Sequence, residues 1–264
     1  MQVNIVSDVH GRADALTAAG AGADAFICLG DLLSFVDYAD HSAGILGEIF
    51  GPEAVGEFVA LRLEQRFGEA SAYMRGLWAQ LDVSHDVAVE RAARAQYDRL
   101  FSALPRPAYV TYGNVDLPRL WPEAAGVRVL DGERIELGGR SFGFVGNGLP
   151  SPYRTPNEIP DAEYAANLAA VGAVDVLCCH IPPALPELTY DVVARRFERG
   201  SEALLETIRE TQPRYAFFGH VHQPLQSRMR IGRTECVNVG HFRATGRPFV
   251  LQWDAPAAAG SASR

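Results

Sequence analysis

Seven residues of types that bind metal ions recur just beyond short apolar runs of this chain. Asp8 and His10 follow residues 2–7, Asp31 follows 25–29, Asn114 follows 108–112, His180 follows 174–179, and His220 and His222 follow 215–218. An open α/β sheet forms its ligand crevice at the carboxyl ends of its strands, so residues in these positions converge if the runs are strands. Each has an ordinary explanation alone: Asp8 as a helix cap, Asn114 as a turn residue, a single histidine as a hydrogen-bonding group. The joint pattern is less ordinary, because five of the seven histidines lie on this series or beside it. Carboxylate oxygens and neutral imidazole nitrogens together suit Mn²⁺, Fe²⁺, Zn²⁺ or Ni²⁺, and affinity alone does not choose among them.

The elements that must position these residues read as alternating strands and helices. Residues 2–7 and 25–29 are buried strands around a helix at 12–19, a βαβ opening. Short apolar strands follow at 108–112, 174–179 and 215–218, with a hairpin-like pair at 133–137 and 141–145. Segments 162–171 and 201–210 carry helical spacing, and Ser201 before Glu202 suits a helix start. This alternation predicts a layered α/β core. Between residues 34 and 104 the pattern changes: Phe67, Ala70, Met74, Leu77 and Leu81, then Tyr97, Leu100, Phe101 and Leu104 recur at helical intervals. We read a helical insertion over 34–104 within a single domain over 1–254, its apolar stripes packing on the core or on a partner subunit. It stands between Asp31 and Asn114 as a lid or a homodimer contact. Pro150, Pro152, Pro156 and Pro160 mark a long loop, and the alanine-, glycine- and serine-rich segment 255–264 reads as a disordered tail.

A chain of 264 residues that is 48% hydrophobic and 21% charged can bury a full core without a second domain. Its net charge of −8 opposes a broad basic surface for duplex nucleic acid. All 24 basic residues are arginine, scattered along the chain. No stretch is apolar enough to span a bilayer and the opening Met1-Gln2-Val3-Asn4-Ile5-Val6 lacks a basic leader, so no membrane partner is expected and the expected compartment is the cytoplasm. Cys28, Cys178, Cys179 and Cys236 lack Cys-x-x-Cys spacing and read as buried free thiols.

The segments Asp8-Val9-His10-Gly11, Gly30-Asp31, Gly113-Asn114-Val115-Asp116, His180 and Gly219-His220-Val221-His222 resemble, in order and context, the motifs of the calcineurin-like metallophosphoesterases. The resemblance runs from residue 1 to about 250, the helical insertion apart, and fills every metal-ligand position of that family. It implies an α/β fold in which a layered β-sandwich is flanked by helices, and a hydrolase of small phosphate esters that uses two divalent metal ions, manganese among the candidates. Asp8, His10, Asp31 and His222 would hold one ion, and Asp31, Asn114, His180 and His220 the other, with Asp31 bridging. Two ions roughly 3.5 to 4 Å apart lower the pKa of a bridging water, aim the hydroxide in line at phosphorus and neutralise charge on the phosphoryl oxygens. Asn114 would also touch a substrate oxygen.

Two positions depart from the family. Many members carry Gly-Asn-His, whose histidine is held to protonate the leaving group or contact the phosphate; this chain has Val115 there. Valine donates no proton, so esters with poor alkoxide leaving groups should lose ~10²–10⁴ in rate. The expected substrates are therefore small phosphodiesters with good or strained leaving groups, such as aryl esters or 2′,3′-cyclic nucleotides. A nucleotidase or other phosphomonoesterase, or a nuclease on single-stranded ends, keeps the same chemistry; a non-catalytic scaffold with this fold is the alternative from another class. Asn238-Val239-Gly240-His241 stands where the family often has Asn-Pro-Gly-Ser. His241 could supply the proton that Val115 cannot, or could be a loop histidine that only hydrogen bonds. His41 is a second candidate, and His85 reads as a helix-start or surface residue. Arg12 and Arg154 could steady a phosphate by bidentate contacts, or be solvated surface arginines.

Overall fold

The computed structural model describes residues 1–254, so the tail expected at 255–264 lies outside the described residues. In the first half, β1 (Gln2–Val6), α1 (Ala13–Ala19) and β2 (Ala25–Cys28) lead into α2 (Gly44–Leu63), α3 (Phe67–Ala79) and α4 (His85–Ala103), then β3 (Ala108–Val110) and β4 (Val127–Val129). The second half begins with β5 (Glu133–Leu137), β6 (Arg140–Val145), α5 (Asp161–Val171), β7 (Val176–Cys179), α6 (Pro186–Thr189) and a ribbon of β8 (Tyr190–Asp191) and β9 (Arg196–Phe197). It closes with α7 (Glu202–Thr211), β10 (Tyr215–Phe218), β11 (Arg228–Ile231), β12 (Thr234–Asn238), α8 (Phe242–Thr245) and β13 (Phe249–Gln252).

The larger strands form two sheets, ordered β13-β1-β2-β3-β4 and β11-β12-β10-β7-β6-β5. Within them β1 to β4 run parallel, as do β6, β7, β10 and β12, and the outermost β13, β11 and β5 are antiparallel to their neighbours. Alternate side chains of a strand leave opposite faces, and here both faces are covered. In β2, Ala25 and Ile27 enter the layer between the sheets while Phe26 and Cys28 enter the layer under the helices. In β7, Val176 and Cys178 face inward and Leu177 and Cys179 outward. This double burial is why these strands read as unbroken apolar runs. Leu16 of α1 and Tyr97 and Leu100 of α4 cover the first sheet; Tyr164 and Leu168 of α5 and Leu204 and Ile208 of α7 cover the second. The architecture is thus an α/β sandwich of two sheets flanked by helices.

Within residues 34–104 the helices run over 44–63, 67–79 and 85–103, after a loop at 34–43, and they divide into two parts. Val55, Phe58 and Val59 of α2 pack with Ala70 and Met74 of α3 in a small core of their own, whereas α4 belongs to the main helical layer. Within α2 the backbone breaks at Gly51, whose φ of 79° precedes Pro52. Ser201 caps α7 by accepting from the Leu204 amide at 3.1 Å, the start read from the sequence. All four cysteines are buried and free. Among the described residues no helix is long and apolar enough to cross a membrane.

Candidate metal centre

The loops after β1, β2, β3, β7 and β10 meet at one end of the sandwich, because those strands run parallel within their sheets and end on the same side. Asp8, His10, Asp31 and His220 all adopt left-handed backbone, with φ of 57°, 42°, 53° and 66°. Such conformations cost residues with a Cβ about 1–3 kcal/mol each and persist where the surroundings impose them. The surroundings here are other loops. The amides of Asp8, His10 and Gly11 donate to the carbonyls of Gly30, Asp31 and Leu32 at 3.1, 2.9 and 2.8 Å. Buried Asp116 accepts the amides of Asp31, Leu32 and Gly113 at 2.9, 3.0 and 2.8 Å and the Tyr97 hydroxyl at 3.2 Å. Burial first, and then the charge of Asp31, push the Asp116 carboxyl up to about 6. Close approach also demands glycine: a Cβ on Gly113 would overlap Asp31 Oδ1, and one on Gly219 would overlap Ser7 Oγ and Asp8 Oδ2.

These loops bring all seven ligand candidates together. His10 Nε2 lies 3.1 Å from His222 Nε2 and 3.9 Å from both Asp8 Oδ1 and Asp31 Oδ2. His222 Nε2 is 3.4 Å from Asp8 Oδ1. On the other side, Asn114 Oδ1 has His180 Nε2 and His220 Nδ1 each at 2.9 Å, and His180 Nε2 is 3.5 Å from Asp31 Oδ1. The two oxygens of Asp31 therefore face two different groups of donors, and its Oδ1 is steadied by the Val115 amide at 3.0 Å.

The donor set fits divalent cations on its own chemistry. His10 Nδ1 and His180 Nδ1 each lie 2.9 Å from a backbone carbonyl, those of Leu33 and Leu29. A carbonyl only accepts, so in each neutral ring the proton sits on Nδ1 and Nε2 presents a bare lone pair. Those lone pairs converge on His222 Nε2 and Asn114 Oδ1, further atoms able to ligate a cation. Asp8 Oδ1 and His220 Nε2 are also buried without a hydrogen-bond partner. Burial pulls the His10 and His220 imidazoles down, His220 to about 4, so both rings are neutral at neutral pH, the form that can bind a cation. Ligand atoms of Asp8, Asp31 and His180 lie within 4.8 Å of one another, and so do those of His10, His222 and His241.

His241 thus reaches the centre. Its turn is drawn in where Phe242 and Arg243 donate backbone amides to the carbonyls of Ser7 and Asp8, each at 3.0 Å. Its Nε2 is buried and unpartnered, and burial followed by the neighbouring His222 pulls its pKa to about 4. At that value the ring is uncharged at neutral pH. His41 instead faces α2, its Nδ1 2.9 Å from where a Cβ on Gly56 would stand. His85 opens α4 behind the Ser84 cap and is exposed, the helix-start surface residue expected.

The centre opens into two cavities that both reach His10, Val115 and His222. One, of about 280 Å³, also meets Asp31, Asn114 and His220 and is walled by Ser151, Thr155, Glu158, Asp191, Arg196 and Arg199. The other, of about 570 Å³, lies between residues 33–39 on one side and His241 and Arg243 on the other. Neither Arg12 nor Arg154 lines them. Arg12 donates to the Arg243 carbonyl at 2.6 Å, and Arg154 is exposed on the proline-rich loop. The arginines that do line them, Arg196, Arg199 and Arg243, come from segments beyond the sequence motifs. Arg243 sits two residues after His241, the one local signal that could have found it. Arg196 lies with its guanidinium carbon 4.5 Å from the Tyr153 ring centroid, joining the β8–β9 ribbon to the proline-rich loop.

The sequence profile of the calcineurin-like phosphoesterases matches residues 1–224, which ends before His241 and Arg243. No curated protein matches the chain in sequence. One solved crystal structure superimposes with a TM-score of 0.58 at 15% identity, covering 95% of this chain and 98% of its own. The structure of TT1561 from Thermus thermophilus matches with a TM-score of 0.50 at 14% identity, covering 94% of this chain and 97% of its own. At such identities the likeness is one of fold.

Proposed function

The chain belongs to the calcineurin-like phosphoesterase family, and from that premise we propose that it is a dinuclear-metal-dependent phosphodiesterase acting on small diesters with good or strained leaving groups. The observation that carries this reading is the split of the Asp31 carboxylate between two groups of donors, with Val115 beside it. Two bound divalent cations would activate a water for in-line attack at phosphorus and neutralise charge on the phosphoryl oxygens. Asp8, His10, Asp31 and His222 are assigned to one site, and Asp31, Asn114, His180 and His220 to the other. The backbone carbonyls of Leu33 and Leu29 keep the His10 and His180 rings in the ligating tautomer.

Asn114 lines the smaller cavity and is assigned a second task, orienting a substrate oxygen. The anion-steadying role expected of Arg12 and Arg154 passes to Arg196 and Arg199, whose side chains border that cavity. Val115 offers no proton and His241 is neutral at pH 7, so neither is assigned as the acid for a poor leaving group. His241 is assigned instead to hold the His222 ring and present a nitrogen to the metal side. A non-catalytic scaffold would have no use for four strained ligand residues and bare buried donors.

The test is to strip the protein of metal, reload it with Mn²⁺ or Ni²⁺, and assay matched aryl phosphomonoester and phosphodiester substrates. Turnover of the diester well above that of the monoester is expected. Preference for the monoester would favour a nucleotidase-like activity, and full metal loading without turnover of either would favour the scaffold.

A further inference from the structure

The two cavities at the centre differ in chemistry. The smaller one sets Leu149, Tyr153 and Ala194 beside the hydroxyls of Ser151 and Thr155, the carboxylates of Glu158 and Asp191, and the guanidinium groups of Arg196 and Arg199, which pair with Glu198 and Asp161. The larger one is walled mainly by Phe35, Val36, Tyr38 and Ala39, with Ser34, His222 and His241 also at its edge, and Val115 continues the apolar part of that wall up to the metal-binding atoms. Its one guanidinium is already engaged. Arg243 donates to the His10 carbonyl and pairs with the carboxylate of buried Asp37, so its charge is compensated within the wall and the wall is tied to the ligand loop. Desolvating such a pocket favours an apolar occupant, since a charged or strongly polar one would lose water and find few partners.

A phosphomonoester has one organic arm, whereas a diester has two, and two cavities diverge from one phosphate-binding position. Building on the phosphodiesterase reading above, we infer that the substrate is an asymmetric phosphodiester: a flat apolar arm, an aryl or heteroaromatic ring, enters the Phe35–Tyr38 cavity, and a polar arm lies toward Thr155, Arg196 and Arg199. The cavity volume of about 570 Å³ falls within the range of small-molecule sites and exceeds what one ring needs. Phe35 and Tyr38 supply ring faces for offset or edge contacts. Tyr38 is 49% exposed, so it forms the rim and can be replaced without opening the core.

Calorimetric binding to the Mn²⁺-loaded protein separates this inference from the question of turnover. Methyl phenyl phosphate is expected to bind about tenfold or more tightly than dimethyl phosphate, the scale of burying several ring carbons. Tyr38→Ala and Phe35→Leu, each checked for an unchanged melting temperature, should shrink that ratio toward one, while Thr155→Ala, on the opposite side of the centre, should leave the ratio intact. No preference in the parent protein, a ratio unmoved by both cavity variants, or a ratio abolished by Thr155→Ala would overturn the assignment. If the loaded protein hydrolyses monoesters alone, the phosphodiesterase reading falls while phenyl phosphate against methyl phosphate still tests the apolar cavity in the same way.

Discussion

The imidazoles of His222 and His241 stack face to face, with centroids 3.8 Å apart and planes 10° from parallel. His10 stands edge-on to both, at 5.1 and 5.7 Å. Three rings so close cannot all carry charge. Burial lowers His10 and His241, while His222 overcomes the same burial through the attraction of the Asp8 carboxylate 3.4 Å away and stays above its ordinary value. The stack therefore orients the His222 ring with another ring that is neutral.

His241→Ala should lower kcat/KM by about 10–100-fold, the usual effect of removing a residue that supports a metal ligand. The loss is expected to be equal for aryl and alkyl leaving groups. A loss confined to alkyl esters would restore His241 as the proton donor.

Asp31→Asn should lower metal content and activity together, because the variant keeps the shape but not the charge of the group facing both donor sets. Elemental analysis should show fewer bound ions per chain. In the parent protein, metal at about 100 times its Kd should add about 2.7 kcal/mol of stability, and that gain should shrink in the variant. A fully loaded, fully active Asp31→Asn protein would remove the bridge from the reading.

Val115→His restores a titratable group between the two cavities. Turnover of alkyl diesters is expected to rise by up to ~10², with little gain for aryl diesters that need no acid. Equal gains on both classes would mean that the valine is not what limits the leaving group.

Asp116→Asn should destabilise the protein without removing any candidate ligand side chain. One carboxylate oxygen accepts from Asp31 and Gly113, the other from Leu32 and the Tyr97 hydroxyl. An amide nitrogen in place of either oxygen faces two donors, at about 1–3 kcal/mol per unsatisfied group. A fall in melting temperature of at least about 5 °C is expected for a chain of this size. Calorimetry of the metal-free variant showing no fall would deny Asp116 its role in joining the β2 and β3 loops.

Much of the centre was legible in the chain itself. Asp8, His10, Asp31, Asn114, His180, His220 and His222 each stand within a few residues of an apolar strand, and the covalent link alone carries a residue there to the strand's end. The alternation of strands and helices, the Ser201 cap and the helical character of 34–104 are likewise local properties, set by side-chain period and backbone hydrogen bonding. The assignment of α4 to the main layer is not local, since its apolar stripe alone does not say which surface it meets.

Tertiary structure decided what surrounds the ligands. Arg12 adjoins a motif yet turns to the Arg243 carbonyl, while Arg243, 231 positions away, lines the cavity. His241 enters the centre only because the turn after β12 docks on Ser7 and Asp8. Thr155, Arg196 and Arg199 reach the other cavity from a proline-rich loop, the β8–β9 ribbon and the segment just after it. Their positions depend on which loops pack together, and packing joins residues by shape and burial with no regard to their order along the chain. The residue types at the strand ends announce metal chemistry; the walls that would choose the substrate exist only once the chain has folded.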